Sequence, residues 1–82
     1  MTHNDAVKRL VHSAYLMGWW AYHVGQPCNI NLDPHAGQLQ FGQAYNVVQD
    51  IRSAWLIGWT DAELGIAKEV GYADLNLLHG VA

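Results

Sequence analysis

The sequence predicts an all-α fold: a small pseudo-symmetric helical hairpin with an extra short helix in the linker, at the C-terminus, or in both places. Two observations carry this expectation. A stretch near the start of the chain recurs forty residues later, and both copies place apolar residues at helical spacing. Ser13-Ala14-Tyr15-Leu16-Met17-Gly18-Trp19 aligns without a gap on Ser53-Ala54-Trp55-Leu56-Ile57-Gly58-Trp59, with five of seven positions identical and the other two conservative. Val7/Val47, Val11/Ile51 and Gly25/Gly65 extend the match. Glycine is an expensive choice inside a helix. Its recurrence in register beside tryptophan argues for a repeat over two unrelated amphipathic helices.

The first helix is expected at about 4–24. Thr2 followed by Asp5 resembles a capping box. Val7, Leu10, Val11, Ala14, Met17, Gly18 and Ala21 share a stripe, and Gly25 with Pro27 reads as a stop. The linker, 26–43, is too long for a plain hairpin turn. Within it Asp33-Pro34 reads as an N-cap followed by proline at the first helical position. A short helix or ordered turn near 34–41 follows, with Leu39 and Phe41 expected to face the core. The second helix is expected at about 44–66, with Val47, Val48, Ile51, Ala54, Trp55, Gly58 and Ala62 on one stripe. Lys68 and Gly71 suggest its end, and Gly65 offers an earlier one. A short third helix is expected at about 73–79.

A mid-helix glycine costs roughly 1 kcal/mol relative to alanine. Gly18 sits in a ridge of small residues with Ala14 and Ala21, and Gly58 in another with Ala54 and Ala62. Residues three and four apart share a helix face, so two such ridges allow the axes to approach closer than usual. Trp19, Trp20, Trp55 and Trp59 are expected to wrap that contact. The alternative use of the glycines is access for a ligand.

The 82-residue chain has room for one domain with a thin core. Its single cysteine, Cys28, suits a reducing compartment. The first residues are interrupted by Asp5, Lys8 and Arg9 and do not resemble a secretory leader, and no apolar run is long enough to span a bilayer. No membrane association and a cytoplasmic location are therefore expected. The net charge is −3, and Lys8, Arg9, Arg52 and Lys68 are the only Lys and Arg residues. That predicts weak contact with nucleic acid at most. Charged residues make up only 13% of the chain, and four tryptophans and four tyrosines stand against them. Such a chain has apolar surface to spare for oligomerisation or a partner.

Catalytic motifs are missing: there is no glycine-rich phosphate loop, nucleophile elbow or cysteine-rich metal motif. His12 and His23 lie about 16 Å apart along a helix at 1.5 Å per residue. His35 could meet Cys28 across the loop, but solvent-exposed histidines are the better reading, and no metal or cofactor is expected. Asp61 and Glu63 point to different helix faces; solvated surface, or a contact from Asp61 to Arg52, is expected for them. The aromatic residues have two readings, core packing or a face that stacks on a ligand or partner. The segment from Tyr15 to Tyr22 is apolar nearly all round, which favours a contribution to binding. The candidate binding residues are Lys8, Arg9, His12, Trp19, Trp20, Tyr22, Arg52 and Trp59.

The two copies resemble the ribosome modulation factor family of small bacterial proteins. The first family motif corresponds to Ala14, Gly18, Trp19, Ala21 and Gly25. The second and more specific one corresponds to Arg52, Ser53, Trp55, Leu56, Gly58, Trp59, Asp61 and Ala62. Pro27-Cys28-Asn29 stands where the family has a Cys-Pro-Tyr turn, the loop is longer, and the strongly basic character of the family prototype is replaced here by an acidic balance. The resemblance covers about half of the chain. It implies a helical hairpin without catalysis, docking on the ribosome near the messenger exit path and silencing translation in the bacterial cytoplasm. Relatives in phages and plasmids keep a second reading open, an inhibitor that binds a host protein or other host macromolecular complex. A third is a homo-oligomer that sequesters a nucleotide signal.

Overall fold

The structure is a computed structural model in which residues 3–68 are described. The short helix expected at 73–79 and Thr2 of the expected capping box lie outside the described residues. The order of elements is α1 (His3–His23), a 3-10 turn (Ile30–Leu32), α2 (Pro34–Gln40) and α3 (Tyr45–Glu63). The fold is small and all-α, with no strand among the described residues.

Both long helices end in the same way. After α1, Gly25 takes φ 85°; its N–H bonds to the Tyr22 carbonyl at 3.0 Å and that of Gln26 to the Ala21 carbonyl at 2.9 Å. After α3, Gly65 takes φ 78°, with Gly65 bonded to Ala62 at 3.1 Å and Ile66 to Asp61 at 2.8 Å. This bond pair is a Schellman cap, which needs a left-handed residue that glycine adopts without a Cβ penalty. Of the ends the sequence left open for α3, Gly65 is the one used.

The core consists of Ala14, Tyr15 and Ala21 from α1, Ile30 and Ala36 from the linker, and Val47, Ile51, Ala54 and Trp55 from α3. At its centre the two long helices touch backbone to backbone. A Cβ on Gly18 would overlap the carbonyl of Trp55, lying 2.7 Å from its carbon, and one on Gly58 would overlap the carbonyl of Tyr15, 2.9 Å from its carbon. Both small-residue ridges are buried, as expected of a close crossing.

The contacts also show the sense of the crossing. Beyond it on α1, Trp19 and Tyr22 meet residues that lie beyond it on α3. The Trp19 indole donates to the Ile66 carbonyl at 3.2 Å, and the Tyr22 and Trp59 rings sit 5.2 Å apart. The Trp59 indole donates to the Gln26 carbonyl at 3.0 Å. The two indole bonds are counterparts, because Trp19/Trp59 and Gln26/Ile66 are each forty residues apart. The C-terminal ends of α1 and α3 thus share one side of the crossing, and the chain has to travel back before α3 can start. That return gives the long linker its purpose.

Asp33 organises the return path. Its Oδ1 accepts from the N–H groups of His35 and Ala36 at 3.1 and 3.4 Å, capping α2 with Pro34 at the helix start, as the sequence predicts. Its Oδ2 accepts from the Trp55 indole at 2.9 Å. Arg52 holds the same segment through Asn31 and Gln40.

Three expectations are corrected. Leu39 packs against the core, but Phe41 is 87% exposed. Phe41 follows the last turn of α2 in extended conformation (ψ 129°), which takes its side chain off the helix face. Trp20 does not wrap the crossing: it lies far around α1 from Tyr15 and Gly18 and is 54% exposed. Asp61 serves Tyr15, accepting its hydroxyl at 3.0 Å, and Arg52 turns to the linker instead.

Candidate functional site

The binding residues expected from sequence fall into three places. Trp19, Tyr22 and Trp59 come together at the C-terminal side of the crossing, all half-buried. His23, which is not among the binding residues expected from sequence, joins them, its ring 4.0 Å from Trp19 and 5.5 Å from Tyr22. The Lys68 ammonium lies 5.7 Å from the Trp19 ring centre, within reach of a cation–π contact. Because the indole N–H groups of Trp19 and Trp59 are engaged with backbone carbonyls, these rings are fixed in orientation.

Trp20 touches this cluster, its ring meeting those of Trp19 and His23 edge-on at 5.1 and 6.2 Å, and also faces a second surface. Arg9, Ser13, Leu16, Trp20 and Val24 follow one another at spacings of three and four and therefore share the outer face of α1. Trp20 and Val24, 54% and 69% exposed, border a groove of about 450 Å³. Leu16, Met17 and Ala21 form its apolar lining, and Ser13, Gln26, Asp33 and His35 contribute its polar part. The segment from Ser13 to Val24 covers about 16 Å of helix at 1.5 Å per residue, so the groove is long enough for a peptide or for a segment of a larger partner. Leu16, Val24 and the linker residues were not among the expected site residues. The 3.6-residue period marks Leu16 and Val24 only as further apolar positions, and the linker's return past α1 has no sequence signal.

Lys8 and Arg9 do not act as one cluster. Neighbours on a helix point about 100° apart, so Lys8 shares a face with His12 and Trp19, while Arg9 heads the stripe that carries Trp20. Lys8 and His12 are half-buried and Arg9 is exposed. Arg52 lies on α3 against the linker, where its Nη1 donates to Asn31 Oδ1 at 3.2 Å and Gln40 Oε1 at 3.4 Å.

Among the described residues, no three His, Cys, Asp or Glu side chains converge in a way that could hold a metal ion. No helix among them is long and apolar enough to cross a membrane. The chemistry on display is recognition: stacked rings, an apolar groove with polar edges, and a few separate cations. No protein-family model matches the chain, and no match was found among curated proteins or solved structures.

Proposed function

We propose that this protein is a non-enzymatic regulatory binder of the ribosome modulation factor type, which docks on the ribosome in the bacterial cytoplasm and restrains translation. The observation that carries docking is the Trp20 groove. Trp20, more than half exposed beside apolar neighbours, keeps much of its ring for a partner, and buried tryptophan is a common anchor of protein interfaces. What directs the reading to the ribosome is the resemblance, whose second motif supplies Trp55 and Gly58 of the crossing and Trp59 beside it. Arg9, on the Trp20 stripe, and Lys8, one face away, are positioned as separate phosphate contacts.

Co-sedimentation of the full chain with ribosomes over a salt series tests this. Each phosphate contact on single-stranded RNA adds roughly 0.7 to the slope of log affinity against log salt. With at most three or four cations engaged, a slope below about three is expected. Failure to co-sediment even at low salt would overturn the ribosome as partner.

The apolar lining of the groove favours a second reading, an inhibitor, phage-encoded in this version, seated on a host protein through Leu16, Met17, Trp20 and Val24. Association that does not change with salt and is lost in Trp20→Ala supports it. Self-association through the same stripe predicts a concentration-dependent mass in sedimentation, also abolished by Trp20→Ala.

A further inference from the structure

A second pocket, of about 290 Å³, opens on the linker side of α3, lined by Cys28, Asn29, Ile30, Arg52, Ser53, Trp55 and Leu56. Its one charged residue is Arg52. An arginine fixed in a folded protein ordinarily meets a carboxylate. Here the two side chains that hold it, Asn31 and Gln40, are neutral amides, and both bond the same nitrogen, Nη1. The guanidinium is thus oriented without being neutralised, and Nη2 and Nε remain as donors. Ser53 adds a hydroxyl to the lining. Asn29 adds a side-chain amide whose oxygen is engaged by the Asn31 N–H, which leaves its NH₂ group to donate. Beside this set of donors lies Leu56, half exposed and able to take the face of a flat ring. Oriented positive charge, neutral donors and an adjoining apolar surface match a phosphate ester joined to a planar body.

We propose that this pocket binds the phosphate of a nucleotide, with Arg52 as the anchor, Ser53 and Asn29 as neutral donors, and the base against Leu56. The nucleotide comes either free from solution or as part of single-stranded RNA. The RNA source rests on the ribosome reading above; the free-nucleotide source does not.

The test is a titration of the full-length protein followed by ¹H–¹⁵N NMR, with adenosine 5′-monophosphate, adenosine, inorganic phosphate and a short oligoadenylate as probes. Adenosine monophosphate should move the amides of Cys28, Asn29 and Ser53 and the Arg52 Nε–H, saturating at about millimolar concentration. Adenosine, lacking the charge-assisted bonds, should bind about tenfold more weakly or worse. Oligoadenylate binding more tightly than the mononucleotide assigns the RNA source; equal or weaker binding assigns the free nucleotide. Shifts confined to other residues, no shifts at all, or equal affinities for adenosine and its monophosphate would overturn the proposal. Arg52→Lys keeps the charge but loses the guanidinium geometry and should weaken the mononucleotide about tenfold. Since Arg52 also ties down the linker, the wild-type comparison of adenosine with its monophosphate decides if that variant fails to fold. Loss of ribosome co-sedimentation with mononucleotide binding intact removes only the ribosome reading; the reverse removes only this site.

Discussion

The indole N–H of Trp55, in the middle of α3, donates to the carboxylate of Asp33 in the linker at 2.9 Å, and both residues are buried. One oxygen of Asp33 caps α2 and the other satisfies the largest fully buried side chain of the core. The short helix and the core are therefore joined through one carboxylate. Asp33→Ala should remove a cap and strand a buried indole donor, costing about 2–4 kcal/mol in chemical denaturation. In Trp55→Phe, which removes the donor, a further Asp33→Ala change should cost less than it does in the wild type. Full additivity in that cycle would refute the coupling.

Gly18 and Gly58 should not tolerate alanine. A methyl group at either position meets a backbone carbonyl of the facing helix, which moves only if the helices separate. Overpacking of this kind costs about 1–3 kcal/mol or more, exceeding the roughly 1 kcal/mol that alanine gains in helix propensity. Gly37 provides the control: it is helical, and a Cβ there meets nothing within 4 Å. Gly37→Ala should be neutral or stabilising by up to about 1 kcal/mol. Equal melting temperatures for Gly58→Ala and wild type would sink the account of the crossing.

The start of α3 can be improved. Ala44 occupies the N-cap in extended conformation (φ −64°, ψ 156°) with no side-chain bond to the helix, and no acidic residue lies in the first turn. Ala44→Asp or Ala44→Ser should add about 1 kcal/mol, seen as a raised denaturation midpoint with an unchanged slope. A lowered midpoint would contradict the cap assignment.

Trp20 separates stability from binding. Because the ring is 54% exposed and otherwise rests edge-on against Trp19 and His23, Trp20→Ala should cost about 1–2 kcal/mol of stability and leave the protein folded. Association with the partner should weaken markedly. A variant that binds as well as wild type would exclude the Trp20 groove as the docking surface.

Much of this architecture was legible in the chain. The forty-residue repeat announced two long helices with glycines at a close contact, and Gly25, Gly65 and the Asp33-Pro34 pair marked helix ends and the start of α2, because capping is local chemistry of adjacent residues. Asp33 as the partner of Trp55, Asp61 as the partner of Tyr15 and Arg52 as a clamp on the linker were not legible. Each joins residues at least twelve positions apart, a relationship that depends on the sense in which the helices cross. Likewise, helical periodicity makes Trp19 and Trp20 equally apolar, yet one is pinned to the Ile66 carbonyl and the other borders an open groove. Local sequence determined which segments are helical and where they end. Only the tertiary structure decided which aromatic faces remained for a partner, because that depends on the path the linker takes back between α1 and α3.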